Sequence, residues 1–349
     1  MSRSLPADLR AAPSERLRAM LGSRTAMVVL LAIVLLLLAL LAQLQGVSGD
    51  RLFSLAVRGV LLSGILALGA IGLSLIFGVL EIPNFAHGDL MTAGAYLAFP
   101  IVMLIPGGPV QPFSFGWDFI VALLVVMPLV GLLGYGIDRM VFRPLRARRS
   151  SKVIQAMASL AAAFLIRSFV YMIWGADFAF YYTGRPRPAF ELFPDIRVRP
   201  DQLFILGLAV LMIVLIYLLL EKTKMGKAMR ASADNRDLAR ISGIDTERVV
   251  FWTWMIGGGL AAAGGMMYGL DAQLRPEMGW WLLLPLFAAV ILGTIGNPYG
   301  ALVGALVIGL VWQMSSAFID PTYGPGVAFF VMILVLLFRP QGIFGKPGG

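Results

Sequence analysis

Residues 26–42, AMVVLLAIVLLLLALLA, carry no charge and no alternation of polar with apolar side chains. A membrane strand alternates with a period of two, in segments of about ten residues. A run this long and continuous reads instead as a membrane-spanning helix, because a helix satisfies its own backbone hydrogen bonds in hydrocarbon. The remainder of the chain repeats the pattern. Of 349 residues, 59% are hydrophobic and 13% are charged, whereas soluble domains carry about 25% charged residues. At about 20 residues per crossing, the length leaves room for about ten spans and no large soluble domain. The expected fold is an all-α polytopic membrane protein, with residues 1–25 as a basic tail and residues 26–349 as one transmembrane domain.

The basic start, with Arg3, Arg10, Arg16, Arg18 and Arg24 before an apolar stretch, has the outline of a secretory signal. The apolar stretch, about Ala26–Leu44, exceeds the roughly 7–15 residues of a signal's apolar region, so it is read as an uncleaved first span. Further spans are expected at about Leu52–Leu80, Leu90–Ile105, Phe119–Ile137, Val153–Trp174, Leu203–Leu220, Val249–Leu270, Gly279–Ile295, Ala301–Phe318 and Val327–Phe338. Leu52–Leu80 is too long for a perpendicular crossing and should tilt, or break near Gly69 and Gly72. The short segments Leu90–Ile105 and Val327–Phe338 leave partial crossings, and a count of about eight or nine full spans, open.

The formal charge of +9 is spread in short blocks between apolar runs, which fits membrane topology and not a nucleic-acid surface. Placing both termini in the cytoplasm puts the N-terminal arginines on that side. It also places there Arg139, Arg143, Arg146, Arg148, Arg149 and Lys152, the basic residues from Lys222 to Arg248, and Arg339 and Lys346. The outer side receives the fewer Arg51, Arg185, Arg187, Arg197, Arg199 and Arg275. Two connections exceed simple turns. The outer one, 175–202, contains DFAFYYTGRPRPAFELFPDIRVRPD, whose prolines argue for a folded cap or short pieces. The inner one, 221–248, lacks proline and reads as a short helix outside the bilayer.

The chain has no cysteine and one histidine, His87, which excludes thiol chemistry and a histidine metal cluster; no cofactor is expected. No stretch fits G-x-x-x-x-G-K-[ST], so any ATP is hydrolysed on another chain, and no nucleophile, base and oxyanion set suggests an enzyme. Gly257, Gly258, Gly259, Gly264 and Gly265, and the pair Gly300 and Gly304, fit close helix packing or a sliding surface. Arg58 and Arg167 lie inside apolar segments, either snorkelling to the interface or facing an anionic group of a substrate.

The most informative stretch is GLSLIFGVLEIPNFAHGDLMTAGAY, 72–96. It gathers polar groups where a helix is interrupted, and broken helices offer their termini to polar solutes. Asn84, Phe85, His87, Gly88 and Asp89 are the candidate translocation-path residues. The alternative is ordinary helix-start chemistry, with Asn84 as N-cap and His87 in the first turn. In the inner connection, a helix beginning near Ala231 puts Ala231, Asn235, Leu238 and Ser242 on one side, with Ala239 adjacent and Arg236 and Arg240 facing away. Gly243 ends it in a left-handed position, with Ile244 packing back.

Together with MGKAMRASADNRDLARISGIDTERV (225–249) and LFAAVILGTIGNPYGALVGALVIGL (286–310), the 72–96 stretch resembles the membrane permease subunits of branched-chain amino acid ABC importers and their urea and amide relatives. The resemblance covers roughly Leu52 to the C-terminus. It implies a two-permease, two-ATPase complex in a bacterial inner membrane, fed by an extracytoplasmic solute-binding protein. It also implies ATPase coupling through Gly226, Ala228, Ala231, Asn235, Ala239 and Gly243. The sequence departs from the family pattern at Glu81 and Pro83 and in GTIGNPYG (293–300), which leaves the solute open. The outer connection, through Arg185, Arg187 and Glu191, is the expected docking surface for the binding protein. From the residues alone, an ion-coupled secondary transporter is the rival function; it would want acidic residues deep in spans, and these occur only around Glu81 and Asp89.

Overall fold

The computed structural model describes residues 46–105, 107–183, 189–193 and 196–345, with the isolated positions 36, 40 and 44. The basic tail and nearly all of the first expected span lie outside the described residues. The helices are α1 (Gly49–Leu80), α2 (Ala86–Leu104), α3 (Trp117–Ile137), α4 (Arg143–Ala147), α5 (Lys152–Trp174) and α6 (Pro200–Lys222). They continue as α7 (Lys224–Asp234), α8 (Arg236–Ile241), α9 (Thr246–Asp271), α10 (Met278–Gly293), α11 (Pro298–Ser315) and α12 (Gly324–Phe338). A π-helical turn, Asp138–Phe142, joins α3 to α4. Among the described residues, six helical stretches are long and apolar enough to cross a membrane.

The expected break near Gly69 and Gly72 does not occur. α1 runs unbroken for 32 residues, about 48 Å at 1.5 Å per residue, against a hydrocarbon core of about 30 Å. Its glycines supply space instead of flexibility. A Cβ on Gly72 would sit 2.7 Å from the Gly257 carbonyl oxygen, and one on Gly69 2.8 Å from a Leu286 methyl. The same holds across α10 and α11, where a Cβ on Gly304 would meet the Ala289 carbonyl at 2.0 Å. In lipid, where no hydrophobic drive brings helices together, such close backbone approach is what holds a bundle.

α1 is the central post, packed on α11, α9, α6 and α10. Of its most apolar window 83% is buried, against 17% for the peripheral α6. The bundle has two chemically distinct ends. At one, Glu81 pairs with Lys152, Arg143 with Glu247 and Arg230 with Glu221. The C-terminal segment also returns to that end, where Ile343 N–H donates to the Leu292 carbonyl. At the other end Ser114 donates to Asp201, Tyr171 to Glu277, and Arg199 pairs with Asp271. Charged connections expected on one side of the membrane therefore meet at one end of the molecule.

The outer connection consists of short pieces, as its prolines require. Phe190–Phe193 and Ile196–Val198 form an antiparallel pair, β1 and β2. Ahead of them Ala179 bridges to Leu274, and Tyr181 reaches into the bundle to donate to the Ala95 carbonyl at 2.8 Å.

Candidate functional site

The interruption expected between two apolar stretches is present. α1 stops at Glu81, which adopts φ 54°, ψ 32°. The chain then rises back into the bundle in extended form before α2 starts. Ser159 of α5 holds this return. Its hydroxyl donates towards the Pro83 carbonyl at 2.9 Å and accepts from the Phe85 N–H at 3.0 Å. α2 thus begins beside the middle of α1, and His87 Nε2 lies 2.9 Å from the Gly69 carbonyl. That geometry makes Nε2 the donor and leaves Nδ1 as an acceptor with no partner among the described residues.

The structure brings the five path candidates together. Asn84, His87, Gly88 and Asp89 are buried, and Phe85 packs on Phe287 with ring centroids 5.1 Å apart. The helix-start reading of Asn84 is corrected. The N-cap position belongs to Phe85, which makes no side-chain cap bond, and both amide atoms of Asn84 are buried without a hydrogen-bond partner among the described residues. A buried amide left unpaired costs about 1–3 kcal/mol, so it marks a place where the chain forgoes stability. At Gly88 the backbones of α2 and α10 almost touch: a Cβ there would lie 2.2 Å from the Gly279 carbonyl oxygen. The contact is tied by Gly279 N–H donating to the Thr92 hydroxyl at 3.0 Å.

Asp89 has a partner that its sequence neighbourhood does not reveal. Arg167 of α5 donates to both carboxylate oxygens, Nε and Nη2 each at 2.9 Å. Its guanidinium stacks 4.8 Å from the Trp280 ring centroid and 5.4 Å from that of Phe164. Arg167 is therefore neither snorkelling nor available as a free counter-charge. It neutralises Asp89 and fixes the start of α2 against α5 in a fork-to-fork geometry. Ser159, Thr92, Gly279 and Phe287 complete the surroundings of the break. Of these, Ser159 was detectable in principle, as a hydroxyl among the alanines of the first half of α5.

The inner connection departs from the single helix expected from Ala231 to Gly243. Two helices form, α7 and α8, and the chain breaks at Asn235 (φ −159°, ψ 106°), whose side chain caps α8 by accepting from the Leu238 N–H at 2.9 Å. Asparagine's short side chain bonds the backbone three residues on, which outcompetes helix continuation. The expected small-residue face is accordingly not one outward surface. Ala239 is buried within the chain, and Gly226 sits at the α6–α7 turn, where a Cβ would meet the Leu219 carbonyl at 2.3 Å. Ala228 and Ala231 are half-buried, and Asn235 and Gly243 exposed. Outward stand Leu238, 57% exposed, and Ile241, 82% exposed.

Gly243 takes φ 85° after α8. Gly243 N–H donates to the Arg240 carbonyl and Ile244 N–H to the Ala239 carbonyl, the paired bonds of a Schellman ending, with Ile244 turned back onto the core. Beside α8 lies a cleft of about 560 Å³ lined by Arg143, Arg146, Arg236, Arg240, Asp237 and Glu247 among others. Burial pushes the Arg236 guanidinium below its usual range, and the charge of Arg146 pushes it further the same way. Arg146 is itself held by Asp138, donating to both carboxylate oxygens at 2.7 and 2.9 Å. Of the docking candidates, Arg185 and Arg187 lie outside the described residues; Glu191 is in β1, opposite Arg197.

Residues 55–336 match the family model described as the permease component of branched-chain amino acid transport systems. The high-affinity branched-chain amino acid transport system permease protein LivH of Escherichia coli K12 is 30% identical over 295 residues, covering 83% of this chain and 94% of that protein. Permease protein BraD of Pseudomonas aeruginosa is 28% identical over 299 residues, covering 83% and 95%. The probable branched-chain amino acid permease LivH of Methanocaldococcus jannaschii is 28% identical over 301 residues, covering 82% and 90%. No solved structure matches.

Proposed function

Because this chain belongs to the permease-component family of branched-chain amino acid transport systems, we propose that it forms the membrane path of a binding-protein-dependent ABC importer for branched-chain amino acids or a similar small polar solute. ATP is hydrolysed by separate ATPase subunits, since the sequence has no phosphate-binding loop of its own. A second permease subunit, of the same or a related chain, completes the path, surrounded by lipid of the cytoplasmic membrane. In this reading the chain crosses about ten times, counting the segment at 26–44, with both termini and the basic end of the bundle in the cytoplasm. The binding protein docks at the opposite end through the 175–202 connection, with Arg185, Arg187 and Glu191 steering the encounter.

The observation that carries the reading is the α7–α8 pair. It projects from the basic end with Leu238 and Ile241 uncovered, and an apolar pair on a short, firmly capped helix is suited to enter a groove on a partner. Ala239 and Gly226 serve this surface by shaping it from within, and Asn235 and Gly243 by setting the two ends of α8. The solute passes the break between α1 and α2, where Asn84 and the second ring nitrogen of His87 offer hydrogen bonds that no group among the described residues takes. These groups suit a zwitterion or an amide and discriminate poorly among aliphatic side chains, so selectivity resides in the binding protein.

The test uses the complex of permeases, ATPase and binding protein in proteoliposomes. Leu238→Asp with Ile241→Asp should abolish ATP hydrolysis stimulated by loaded binding protein, and solute uptake with it, while the permease still inserts. Stimulation equal to that of the parent would refute the coupling assignment. Uptake by this chain alone, driven by a proton gradient, would favour the secondary transporter.

A further inference from the structure

At the end of the bundle opposite α7–α8 there is a second cavity, of about 460 Å³, between α1, α6, α9 and α11. Its size falls within the roughly 300–1,000 Å³ typical of small-molecule sites. One wall is built and rigid. Asp271, the last residue of α9, is held by Arg199, whose Nη2 donates to Oδ1 at 2.6 Å and to the Asp271 carbonyl at 3.1 Å. Gln202 Nε2 donates to the same Oδ1 at 3.0 Å. Oδ2 accepts from no group among the described residues.

The facing wall is α1. Arg58 lines the cavity, and among the described residues it has no carboxylate and no hydrogen-bond acceptor. Arg58 is exposed and its guanidinium stays charged at any physiological pH, so it presents an open fork of donors to an anionic group that enters the cavity. Leu61, buried, and Leu62, half-buried, lie three and four residues on along the same face of the helix and make the cavity wall beside the charge apolar. Arg58 and Arg199 against Asp271 leave one positive charge in excess.

Resting on the importer reading above, we infer that this cavity is a site for a zwitterionic α-amino acid with an aliphatic side chain. The ligand carboxylate meets the Arg58 fork, the ammonium meets Asp271 Oδ2, and the side chain lies on Leu61 and Leu62. A simple carboxylate would use only the first of these features and an amine only the second. The site is separate from the α1–α2 break, lying nearer the start of α1, where a solute released at the outer end would first be held.

The absence of cysteine makes a direct test possible. Gln313, on the α11 wall of the cavity, is replaced by cysteine, and Ala189→Cys provides a second reporter on another element should the first fail to fold. The full permease and ATPase complex is reconstituted in phosphatidylcholine without binding protein, and the rate of maleimide labelling is measured. L-leucine should slow labelling at least about tenfold more effectively than 3-methylbutylamine or 4-methylpentanoate, each of which lacks one charge. Arg58→Gln should remove the protection, measured against that variant's own unprotected rate, because losing the guanidinium also makes a nearby thiol less reactive. Equal protection by 4-methylpentanoate would overturn the zwitterion assignment in favour of a simple anion site. Protection by added phosphatidylglycerol that leucine does not alter would overturn it in favour of a lipid headgroup. Absence of leucine protection at both reporters, in complexes that still import leucine with ATP and binding protein, would sink this site alone; failure of the parent complex to import any branched-chain amino acid would sink the reading beneath it.

Discussion

Arg167→Met should strand the Asp89 carboxylate, which is fully buried and receives both of its charged hydrogen bonds from that one guanidinium. Removing one member of a buried pair costs about 3–5 kcal/mol, because a charge is left without solvent or partner, whereas removing both charges together is far cheaper. Asp89→Asn is the milder single change. Arg167 has a side chain 12% exposed, and it keeps its contacts with Trp280 and Phe164, worth about 0.5–2 kcal/mol for such a stacked cation. Losing the charge on the acceptor should therefore cost about 1.5–3 kcal/mol. The double variant, Asp89→Asn with Arg167→Met, should be more stable than Arg167→Met alone, giving a coupling energy of about 1–3 kcal/mol. The assay is equilibrium unfolding of the purified permease in mixed detergent micelles, followed by tryptophan fluorescence, for the parent, both singles and the double. If the double variant loses the sum of the two single losses to within about 0.5 kcal/mol, the residues are uncoupled. The claim that this pair fastens the start of α2 to α5 then falls.

Four further outcomes follow from other contacts. Asn84→Leu removes an amide with no partner and should raise stability by about 1–2 kcal/mol while lowering solute uptake; a fall in stability would show that the amide is bonded after all. Gly88→Ala must force α2 from α10, since its Cβ would meet a backbone oxygen at 2.2 Å. It should cost about 1–3 kcal/mol, whereas Gly207→Ala, with open space around it, should be neutral or stabilising in the same unfolding assay. Gly243→Val carries a left-handed backbone penalty of about 1–2 kcal/mol but no clash, as nothing lies within 4 Å of its Cβ; Gly243→Asn should retain binding-protein-stimulated ATP hydrolysis where valine loses it. Single cysteines at Arg146 and Lys227 should resist a membrane-impermeant thiol reagent in intact cells while one at Pro186 reacts, and the reverse pattern would invert the topology.

What the sequence made legible, and what it hid, follows from how local each determinant is. Apolar length is written along the chain, so the long helices from Leu52 onward could be read with their ends displaced by a few residues, and six described stretches are long and apolar enough to cross a membrane. The interruption at 81–85 was readable for the same reason, because Glu81, Pro83 and Asn84 stand together between two apolar runs. The ending of α8 at Gly243 needed only the left-handed tolerance of glycine. The partner of Asp89, in contrast, lies 78 residues away, and no spacing rule links two helices that meet only through the bundle. Arg167 alone could be read equally as snorkelling or as waiting for a substrate, and the choice was made by where α5 stands. Gly69 and Gly72 show the limit from the other side. Glycine weakens a helix by local propensity, which suggested a break, yet Gly257, Leu286 and His87 crowd α1 there and stabilise the straight form through packing. Asn235 was a local signal given too little weight: the spacing of Ala231, Asn235, Leu238 and Ser242 favoured one helix, but the asparagine side chain could cap a new one by accepting from the N–H three residues on. Ala239 is consequently buried, while Leu238 and Ile241 stand exposed. Leu238 was legible, since its spacing set it on one side with Ala231 and Asn235, whereas the exposure of Ile241 followed only from how α8 packs after the break at Asn235.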